Sequence, residues 1–360
     1  MQSINADCSK ENCKNMTRTF ITNCVPQTDI IRLKASQAAN NFCFNLVENN
    51  CFDKAFSILP ISYRINNIDD KTFIYYSNKG NGKFSKLLSQ LKNSIGLANR
   101  AKESDVIWFY NISKTSMLVY ILLRYIYRKT VFVILADHTP GNKKISCQNF
   151  LEWLIRRSFG ILSLSSRTAI RHENFAVLPG IIPKSQIIYT KKVFNQSLKF
   201  LFSGTLSPVT GFEMALKVFS RISNAELYIS GNGIFPKEYT RFNNIHFMGL
   251  MDYEEYKKMY DKVDICLNFR NPYLIENQNN FPSKILEYFS NNKVVLSTVD
   301  YPEIKGAKYI VCKYDEDALI EVISKLLSQS FNDLEQYTDN SVFILSLIHI
   351  SEPTRLRCIS

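Results

Sequence analysis

The residues of this chain that are best suited to chemistry lie in the run FPSKILEY, residues 281–288. Pro282 fits the first turn of a helix, where its missing N–H costs nothing. Lys284 and Glu287 are three residues apart, so they share one helical face near that N-terminus. The lysine can meet a phosphate there with help from the helix dipole, and the glutamate can accept two hydrogen bonds from a ribose diol. The alternative is an ordinary surface ion pair, worth about 0.2–0.5 kcal/mol.

Two glycine-containing turns earlier in the chain could face the same ligand. FLFSGTLSPVTGFEMAL, residues 200–216, passes from a strand-like segment through Gly204 into a helix near Gly211. LYISGNG, residues 227–233, closes a strand on Gly231. Glycine lets a backbone approach a ligand closely, and a helix N-terminus offers unpaired N–H groups to a phosphate. Each turn taken alone is more typical of a simple turn than of a ligand site.

An arginine lies where another buried strand ends. In ICLNFRNPY, Arg270 directly follows a largely apolar segment. Its planar guanidinium is well suited to grip a diphosphate. A salt bridge at the rim of the sheet is the alternative reading.

Elements of alternating type must position these residues. Apolar strand-like segments alternate with helical ones along the chain, which is typical of parallel sheets with helical crossovers. We predict two doubly wound α/β domains, residues 16–185 and 199–344, joined by a linker at 186–198. The predicted strands are Thr19–Cys24, Phe56–Ile61, Thr72–Tyr76, Val106–Tyr110, Val131–Ala136, Ile161–Leu164, Lys199–Ser203, Glu226–Ser230, Ile245–Met248, Asp264–Phe269, Lys293–Thr298 and Tyr309–Cys312. The predicted helices are Ile30–Glu48, Phe84–Ala101, Ile145–Arg157, Gly211–Ile222, Tyr253–Asp261, Pro282–Asn291 and Glu316–Leu327.

The order of the four runs carries a family resemblance. Residues 199–327 resemble the nucleotide-binding domain of the family-four (group 1) retaining glycosyltransferases of bacterial polysaccharide and glycolipid synthesis. The run FPSKILEY followed by NKVVLST is similar to that family's FPSK-x-x-EY segment and the strand after it. LNFR, ISGNG and FLFSGTLSPVTG occur at the matching places. In the first half, ILADHTPG at 134–141 is the one local echo. The resemblance implies the GT-B fold, in which two Rossmann-like domains face each other across a cleft.

The resemblance also implies roles for particular residues. We expect catalysis to involve Glu287, Lys284, Arg270 and His138, with His138 contacting the donor sugar or its diphosphate. We expect the donor to be bound by Gly204, Thr205, Gly231, Asn232, Asn279, Phe281, Pro282 and Ser283. For His138 the alternative is a loop histidine beside an Asp137 that caps the next turn.

Several positions depart from the family pattern. Asn279 stands where an acid often lies eight residues before the ribose-binding glutamate. Thr205 and Thr210 replace the usual arginine and lysine of the first loop, so Arg270 and Lys284 would carry more of the diphosphate charge. Asn23-Cys24-Val25-Pro26 stands where a glycine-rich turn is usual after the first strand.

The implied reaction is transfer of a sugar from a nucleotide donor to a glycan or lipid-linked acceptor, with the anomeric configuration retained. The site must stabilise charge on a departing nucleoside diphosphate. We expect no metal and no cofactor. Asp315-Glu316-Asp317 has the letters of a metal motif, but acids that begin a helix favour its dipole, and we assign them to capping.

The net charge of +12 is confined to one half of the chain. Residues 1–180 hold 24 basic and 12 acidic side chains, whereas residues 181–360 hold 20 of each. We expect the basic half to meet an anionic membrane surface through Lys114–Lys129, where Arg124 and nearby cations flank an apolar run. Trp153, Arg156, Arg157, Arg167 and Arg171 would extend that patch. Plain solubility is the alternative.

Other function classes fit poorly. The sequence has no RNP-like, KH or helix-turn-helix pattern, so we expect no nucleic-acid partner. Its longest apolar stretch, Met117–Tyr127, is shorter than the roughly 20 residues that cross a bilayer. The first fifteen residues are polar and unlike a secretory signal, and the nine cysteines contain no CxxC pair. We therefore expect a cytoplasmic protein, peripheral on the membrane, with an irregular segment at residues 1–15.

Two alternatives to the transferase remain open. Sugar-nucleotide 2-epimerases share the fold but need converging acids and histidines, of which this chain shows few. A degenerate, non-catalytic nucleotide-sugar binder would also fit Asn279, Thr205 and Thr210. Finally, Leu345–Arg355 reads like a translated sequencing adaptor, so residues 345–360 are set aside from the fold.

Overall fold

The computed structural model describes residues 16–65, 72–138, 140, 146–182, 194–195 and 197–345. These residues form two compact units. The first comprises the described residues up to Leu164 together with Ala169–Ile181. The second comprises Ser165–Thr168 and the described residues from Ile182 onward. Residues 1–15, most of the 186–198 linker and the adaptor-like residues after Leu345 lie outside the described part.

The first unit is built on a seven-stranded parallel sheet with the strand order β3-β2-β1-β4-β5-β6-β7. Its central strands are buried along their length because helices cover both faces, as parallel sheets require. The strands are β1 Arg18–Thr22, β2 Lys54–Ile58, β3 Ile74–Tyr76, β4 Val106–Tyr110, β5 Thr130–Leu135, β6 Gly160–Ser163 and β7 Phe175–Val177. The helices are α1 Ile30–Leu33, α2 Gln37–Glu48, α3 Lys83–Ala101, α4 Met117–Ile121, a π-helical turn Leu122–Ile126, and α5 Cys147–Arg156.

The helices of the first unit divide between two cores. Phe42 and Phe44 of α2 pack on one face of the sheet with Phe20 and Trp108. The buried sides of α3, α4 and α5 pack on the other face with strand residues such as Ile107. The direction of the crossovers reverses between β1 and β4, so this unit is doubly wound as predicted.

The second unit repeats this plan with a six-stranded parallel sheet in the order β10-β9-β8-β11-β12-β13. Its strands are β8 Lys199–Ser203, β9 Glu226–Ser230, β10 Ile245–Gly249, β11 Ile265–Asn268, β12 Val294–Ser297 and β13 Ile310–Val311. Its helices are α6 Phe212–Ser220, α7 Tyr253–Lys262, α8 Ile275–Asn279, α9 Lys284–Ser290, α10 Glu316–Ser328 and α11 Phe331–Glu335. Residues 341–345 are also helical.

A segment from the middle of the chain completes the second unit. The Glu303 side chain is wholly buried there. Its Oε1 accepts from the Ser165 hydroxyl at 2.9 Å and from the Ser166 backbone N–H at 2.8 Å. The Arg167 guanidinium lies over the Tyr301 ring at 4.7 Å and donates to the Asn280 carbonyl at 2.7 Å. Charge-assisted hydrogen bonds therefore hold Ser165–Thr168 in the second unit.

The predicted strands are confirmed to within about two residues at most ends, and the predicted helices are confirmed with one break. The stretch Ile30–Glu48 was predicted as one helix, but the structure divides it. Lys34 adopts a left-handed conformation at φ 51°, and the Ser36 hydroxyl then caps α2 by accepting from the Ala39 N–H. Strand β7 and helices α4, α8 and α11 were not predicted because each is only three to five residues long. In the described residues, none of the helices is both long enough and apolar enough to cross a membrane.

Candidate functional site

The candidate residues of the second unit lie at its topological switch point. Strands β8 and β11 are parallel neighbours, and the chain leaves them in opposite directions across the sheet. Ligands of open α/β sheets bind in the crevice at such a point, outside the carboxyl ends of the strands. The turn after β8 carries Gly204 and Thr205, and Phe269-Arg270 follow β11. Runs that are far apart in sequence therefore meet at one sheet edge.

The glycines of this edge let the loops pack against each other. Gly211 has φ +81°, and a Cβ there would lie 1.7 Å from the Phe269 carbonyl oxygen. A Cβ on Gly231 would lie 1.7 Å from the Gly204 carbonyl oxygen. Both positions need glycine because backbone approaches backbone. At these glycines the two loops approach each other closely, and the approach to a ligand stays a prediction.

Arg270 is held by a buried asparagine that the sequence analysis missed. Its Nη1 donates to Asn277 Oδ1 at 2.9 Å. Asn277 is 1% exposed, and its amide nitrogen donates to the Val209 carbonyl at 2.8 Å and the Asn271 carbonyl at 3.0 Å. Asn277 therefore ties the guanidinium to the loop after β8. Its polar type gave no signal, because three further amide side chains surround it in ENQNN.

Lys284 and Glu287 form the ion pair that was weighed as the alternative to ligand binding. Lys284 Nζ lies 2.7 Å from Glu287 Oε2. The two side chains are 30% and 28% exposed, so the pair is more sheltered than an ordinary surface pair. The ammonium also lies 4.2 Å from the centre of the Tyr256 ring, a cation–π contact. Glu287 Oε1 accepts a hydrogen bond from the Tyr260 hydroxyl at 3.0 Å.

A chain of hydroxyl groups connects Glu287 to the end of β8. Tyr260 and Tyr256 hydroxyl oxygens are 2.7 Å apart, and Tyr256 lies 2.8 Å from Ser203 Oγ. Burial raises the pKa of both tyrosines well above the usual value, with the Glu287 charge as the next cause. Each phenol therefore keeps its one proton. The Tyr260 hydroxyl donates its one hydrogen bond to the Glu287 carboxylate. It must therefore accept a hydrogen bond from the Tyr256 hydroxyl, which in turn accepts one from the Ser203 hydroxyl. We call this set the hydroxyl chain.

The residues before α9 have mainly structural contacts. Phe281 is 4% exposed and packs edge-on against Tyr301 at 5.4 Å. Pro282 is buried. Helix α9 was predicted to begin at Pro282, but it begins at Lys284, with Ser283 as its N-cap. Asn279 is 6% exposed, and its amide donates to the Ile275 carbonyl at 2.8 Å. These residues fix the direction in which Lys284 and Glu287 leave the backbone.

The two glycine-containing turns carry four of the predicted donor-binding residues. Thr205 and Asn232 are both exposed at the sheet edge. The Thr210 hydroxyl lies 2.6 Å from the Thr205 carbonyl oxygen, and the Leu206 N–H donates to the Asn232 carbonyl at 2.9 Å. The two threonines that replace the family's basic residues therefore help to brace the loop.

The region that contains this site matches a known protein family. Residues 197–329 match the model described as glycosyl transferases group 1. These residues form a group 1 glycosyltransferase domain. The match covers the switch point, the hydroxyl chain and the ion pair. The search of curated protein sequences found no match.

Solved structures extend the fold comparison to both units. The Anabaena protein Alr3699/HepE, in complex with UDP and glucose, is 15% identical with a TM-score of 0.65, over 93% of this chain and 98% of that one. Sucrose-phosphate synthase from Thermosynechococcus elongatus is 10% identical with a TM-score of 0.68, over 94% and 96%. The UDP-GlcNAc 2-epimerase from Neisseria meningitidis, bound to UDP-GlcNAc, is 11% identical with a TM-score of 0.53, over 93% and 98%. This likeness confirms the α/β GT-B fold.

His138 lies outside the group 1 glycosyltransferase domain, in the first unit. It follows β5, as predicted, but its side chain is buried, and Nε2 lies 3.6 Å from Glu152 Oε1 of α5. Burial lowers the pKa of the imidazole, the Glu152 charge raises it and the Arg156 charge lowers it. The neutral form is therefore favoured at neutral pH. Ser146 caps α5, while most of the turn that Asp137 would cap lies outside the described residues.

The acidic run near the end of the group 1 glycosyltransferase domain serves a helix terminus. Asp315 Oδ1 accepts from the Ala318 N–H at 3.1 Å, so Asp315 caps α10. Glu316 and Asp317 both pair with Arg221, at 2.8 and 2.9 Å. The predicted capping role is confirmed. Within the described ranges, the structure holds no group of three or more His, Cys, Asp or Glu side chains that could bind a metal ion.

We expect the hydroxyl chain to orient Glu287 in the group 1 glycosyltransferase domain. Tyr260→Phe removes the donor to Glu287 Oε1 and leaves Tyr256 without its acceptor. UDP- or GDP-sugar affinity, measured by calorimetry, should fall about tenfold, since a hydrogen bond to a charged group contributes about 1.5–3 kcal/mol. Tyr120→Phe is the matched control, because that buried hydroxyl donates to the Leu154 carbonyl in the first unit. Equal donor affinity in both variants would refute the orienting role.

Proposed function

We propose that this protein is a retaining glycosyltransferase that moves a sugar from a nucleotide-sugar donor to a glycan or lipid-linked acceptor. The observation that carries the proposal is the placement of Glu287 and Lys284. The hydroxyl chain joins them to the end of β8, at the switch point of a domain that matches the group 1 family. Ribose and phosphate are the chemical groups that a carboxylate and an ammonium at such a crevice fit best.

Donor binding would exchange one set of partners for another. A ribose diol can offer Glu287 two hydrogen bonds while Tyr260 continues to hold Oε1. Lys284 then turns from the carboxylate, 2.7 Å away in this structure, toward the diphosphate. Because the two side chains neutralise each other beforehand, neither charge is left uncompensated in the empty site.

Arg270 and Lys284 would stabilise the departing nucleoside diphosphate. The reaction places negative charge on phosphate oxygens, and preoriented cations act there with little reorganisation. Asn277 holds the Arg270 guanidinium in one orientation. Because Thr205 and Thr210 carry no charge, these two cations bear this task in the second unit. Transfer without a bound metal remains a prediction.

We place Gly204, Thr205, Gly231 and Asn232 along the donor, and Asn279, Phe281, Pro282 and Ser283 beneath it. Thr205 and Asn232 are exposed and can reach a ligand directly. Asn279 and Phe281 are buried and would act by fixing the α9 backbone. The His138 contact with the donor sugar stays a prediction.

The acceptor and its location belong to the same proposal. A basic first half favours an anionic acceptor presented at a membrane, as in the synthesis of cell-surface polysaccharide, lipopolysaccharide or capsule. A cytoplasmic protein that is peripheral on the plasma membrane would fit this task. The excess of 12 positive charges in residues 1–180 supports it.

A sugar-nucleotide 2-epimerase is the second candidate, because three of the similar structures are epimerases, one of them putative, with TM-scores of 0.51 to 0.53. An epimerase would convert the donor when it is incubated alone, whereas a transferase requires an acceptor. Epimerisation needs acids and histidines that converge as bases, and the sequence offers few candidates, with four histidines in all. The transferase reading is therefore preferred.

The test combines a donor screen with two variants. UDP- and GDP-sugars are first screened by thermal shift, since a ligand that binds the native state raises the melting temperature. Transfer is then measured on lipid-linked and free glycans. We expect Arg270→Ala and Lys284→Ala to slow transfer about a hundredfold while changing nucleoside affinity little, because both cations act on the departing diphosphate.

Lys217→Ala is the matched control, an exposed lysine on α6 of the same unit. It should transfer at the rate of the unaltered protein. Binding of a donor without transfer to any acceptor would favour the non-catalytic binder, and epimer formation from donor alone would favour the epimerase. Equal diphosphate affinity in the unaltered protein and both variants would contradict the roles of Arg270 and Lys284.

A further inference from the structure

Helix α3 of the first unit exposes a continuous row of large apolar side chains. Phe84 is 73% exposed and Leu87 is 59% exposed, and Leu88, Leu91 and Ile95 are each more than two-fifths exposed. Their spacing of three or four residues places them on one side of the helix, along about 16 Å. We call these five residues the α3 stripe. A contiguous row of exposed apolar side chains on a protein surface is typical of an interaction site.

The α3 stripe is not needed to hold the helix on the sheet. A different side of α3 faces the core, where Gln90, Ser94, Leu97, Ala98 and Ala101 are buried. Leu97, Ala98 and Ala101 belong to the same core cluster as Ile107 and Val119. The helix is therefore anchored independently, and the stripe can be altered without loss of the fold.

The charges of α3 indicate what covers the stripe. The helix contains Lys83, Lys86, Lys92 and Arg100 and no acidic residue. Lys83 and Lys92 are exposed beside the apolar row. A helix with one apolar side, basic flanks and no acids is typical of segments that lie in the interface of an anionic bilayer.

We propose that the α3 stripe docks this protein on an anionic lipid bilayer. The apolar side chains enter the boundary between headgroups and acyl chains, and the lysines meet the lipid phosphates. A second copy of this chain fits less well, because two such helices would bring eight cations together without a compensating acid on either helix. The inference names the surface for the peripheral membrane location in the proposed function, and it does not depend on sugar transfer.

This surface differs from the one that the sequence indicated. In the segment Lys114–Lys129, Val119 and Leu123 are fully buried, and Met117, Leu118, Ile121 and Leu122 are half-buried. Ile126, at 65% exposed, and Tyr125 are the large apolar residues of that segment that face solvent. Trp153 is exposed on α5 and stacks on Tyr125 at 6.3 Å. We therefore assign the main contact to α3.

The test is co-sedimentation of the full chain with phosphatidylcholine vesicles that contain or lack phosphatidylglycerol, from low to high salt. We expect binding to the anionic vesicles alone, weakening as salt rises. The double variant Leu87→Glu with Leu91→Glu should lower the partition coefficient at least about tenfold, because two leucines would no longer enter the bilayer. Lys83→Ser with Lys92→Ser should reduce the salt dependence.

Ile234→Glu is the matched control, since Ile234 is 90% exposed in the second unit, and it should bind as the unaltered protein does. Circular dichroism confirms that each variant is folded. Absence of binding at low salt would overturn the proposal. Vesicle binding that survives the double leucine substitution would also overturn it. So would a dimer that the double leucine substitution dissociates while vesicle binding persists. The assay contains no donor or acceptor, so its failure would contradict the membrane location in the proposed function but not the sugar transfer itself.

Discussion

Replacing Glu287 with alanine should lower the affinity for the nucleotide-sugar donor about tenfold to a hundredfold while the protein stays folded. The loss follows from removing a sheltered carboxylate that would accept hydrogen bonds from the ribose diol, since such bonds to charged groups contribute about 1.5–3 kcal/mol. Each tenfold step in affinity corresponds to about 1.4 kcal/mol. Titration calorimetry with the donor identified by thermal shift gives the affinity.

The chain offers a close control for this experiment. Glu254 and Lys257 form another i,i+3 ion pair on α7, with the carboxylate 76% exposed and the atoms 3.9 Å apart. Glu254→Ala should change donor affinity little. If Glu287→Ala behaves in the same way, Glu287 is a partner of Lys284 and nothing more. Glu287→Gln separates shape from charge, because the amide still accepts one hydrogen bond but no longer balances Lys284.

Replacing Gly211 with alanine should destabilise the second unit by more than about 4 kcal/mol. The backbone conformation at φ +81° costs a side chain about 1–3 kcal/mol. The new Cβ would also lie 1.7 Å from the Phe269 carbonyl oxygen, so the end of β11 must move. Arg270 follows Phe269 directly, and donor affinity should therefore fall together with stability. Urea denaturation and calorimetry measure the two effects.

Gly306 separates the two causes of this loss. It has φ +97°, but a Cβ there would meet no atom within 4 Å. Gly306→Ala should therefore show the backbone cost alone, about 1–3 kcal/mol. Equal losses of unfolding free energy in Gly211→Ala and Gly306→Ala would show that the contact with Phe269 is unimportant.

Much of the architecture could be predicted because it rests on local pattern. Apolar runs such as Val106–Tyr110 and Lys199–Ser203 are strands with the predicted bounds. The alternation of strands and helices then predicted the two doubly wound sheets that the structure contains. Lys284 and Glu287 were found because three-residue spacing on a helix places two side chains together whatever the tertiary fold.

The partners of those residues could not be predicted in the same way. Tyr256 and Tyr260 appear in the sequence as the apolar side of an ordinary helix, and their hydroxyl contacts depend on how α7 packs against α9. Asn277 acts through carbonyl groups of residues six and 68 positions away. The burial of His138 depends on Glu152 of α5, fourteen residues further along the chain. Such contacts arise from packing and leave no periodic signal in the chain.

The contacts of the buried Glu303 limit where the chain can be truncated without damage to the second unit. A fragment beginning at the predicted linker would keep every strand of the second sheet but would lose Ser165, Ser166 and Arg167. The Glu303 carboxylate would then lose those donors, and Tyr301 would lose the guanidinium that covers it. The second unit is thus a folding unit assembled from two separate stretches of polypeptide, and we expect a permuted gene that joins them to preserve it where simple truncation would not.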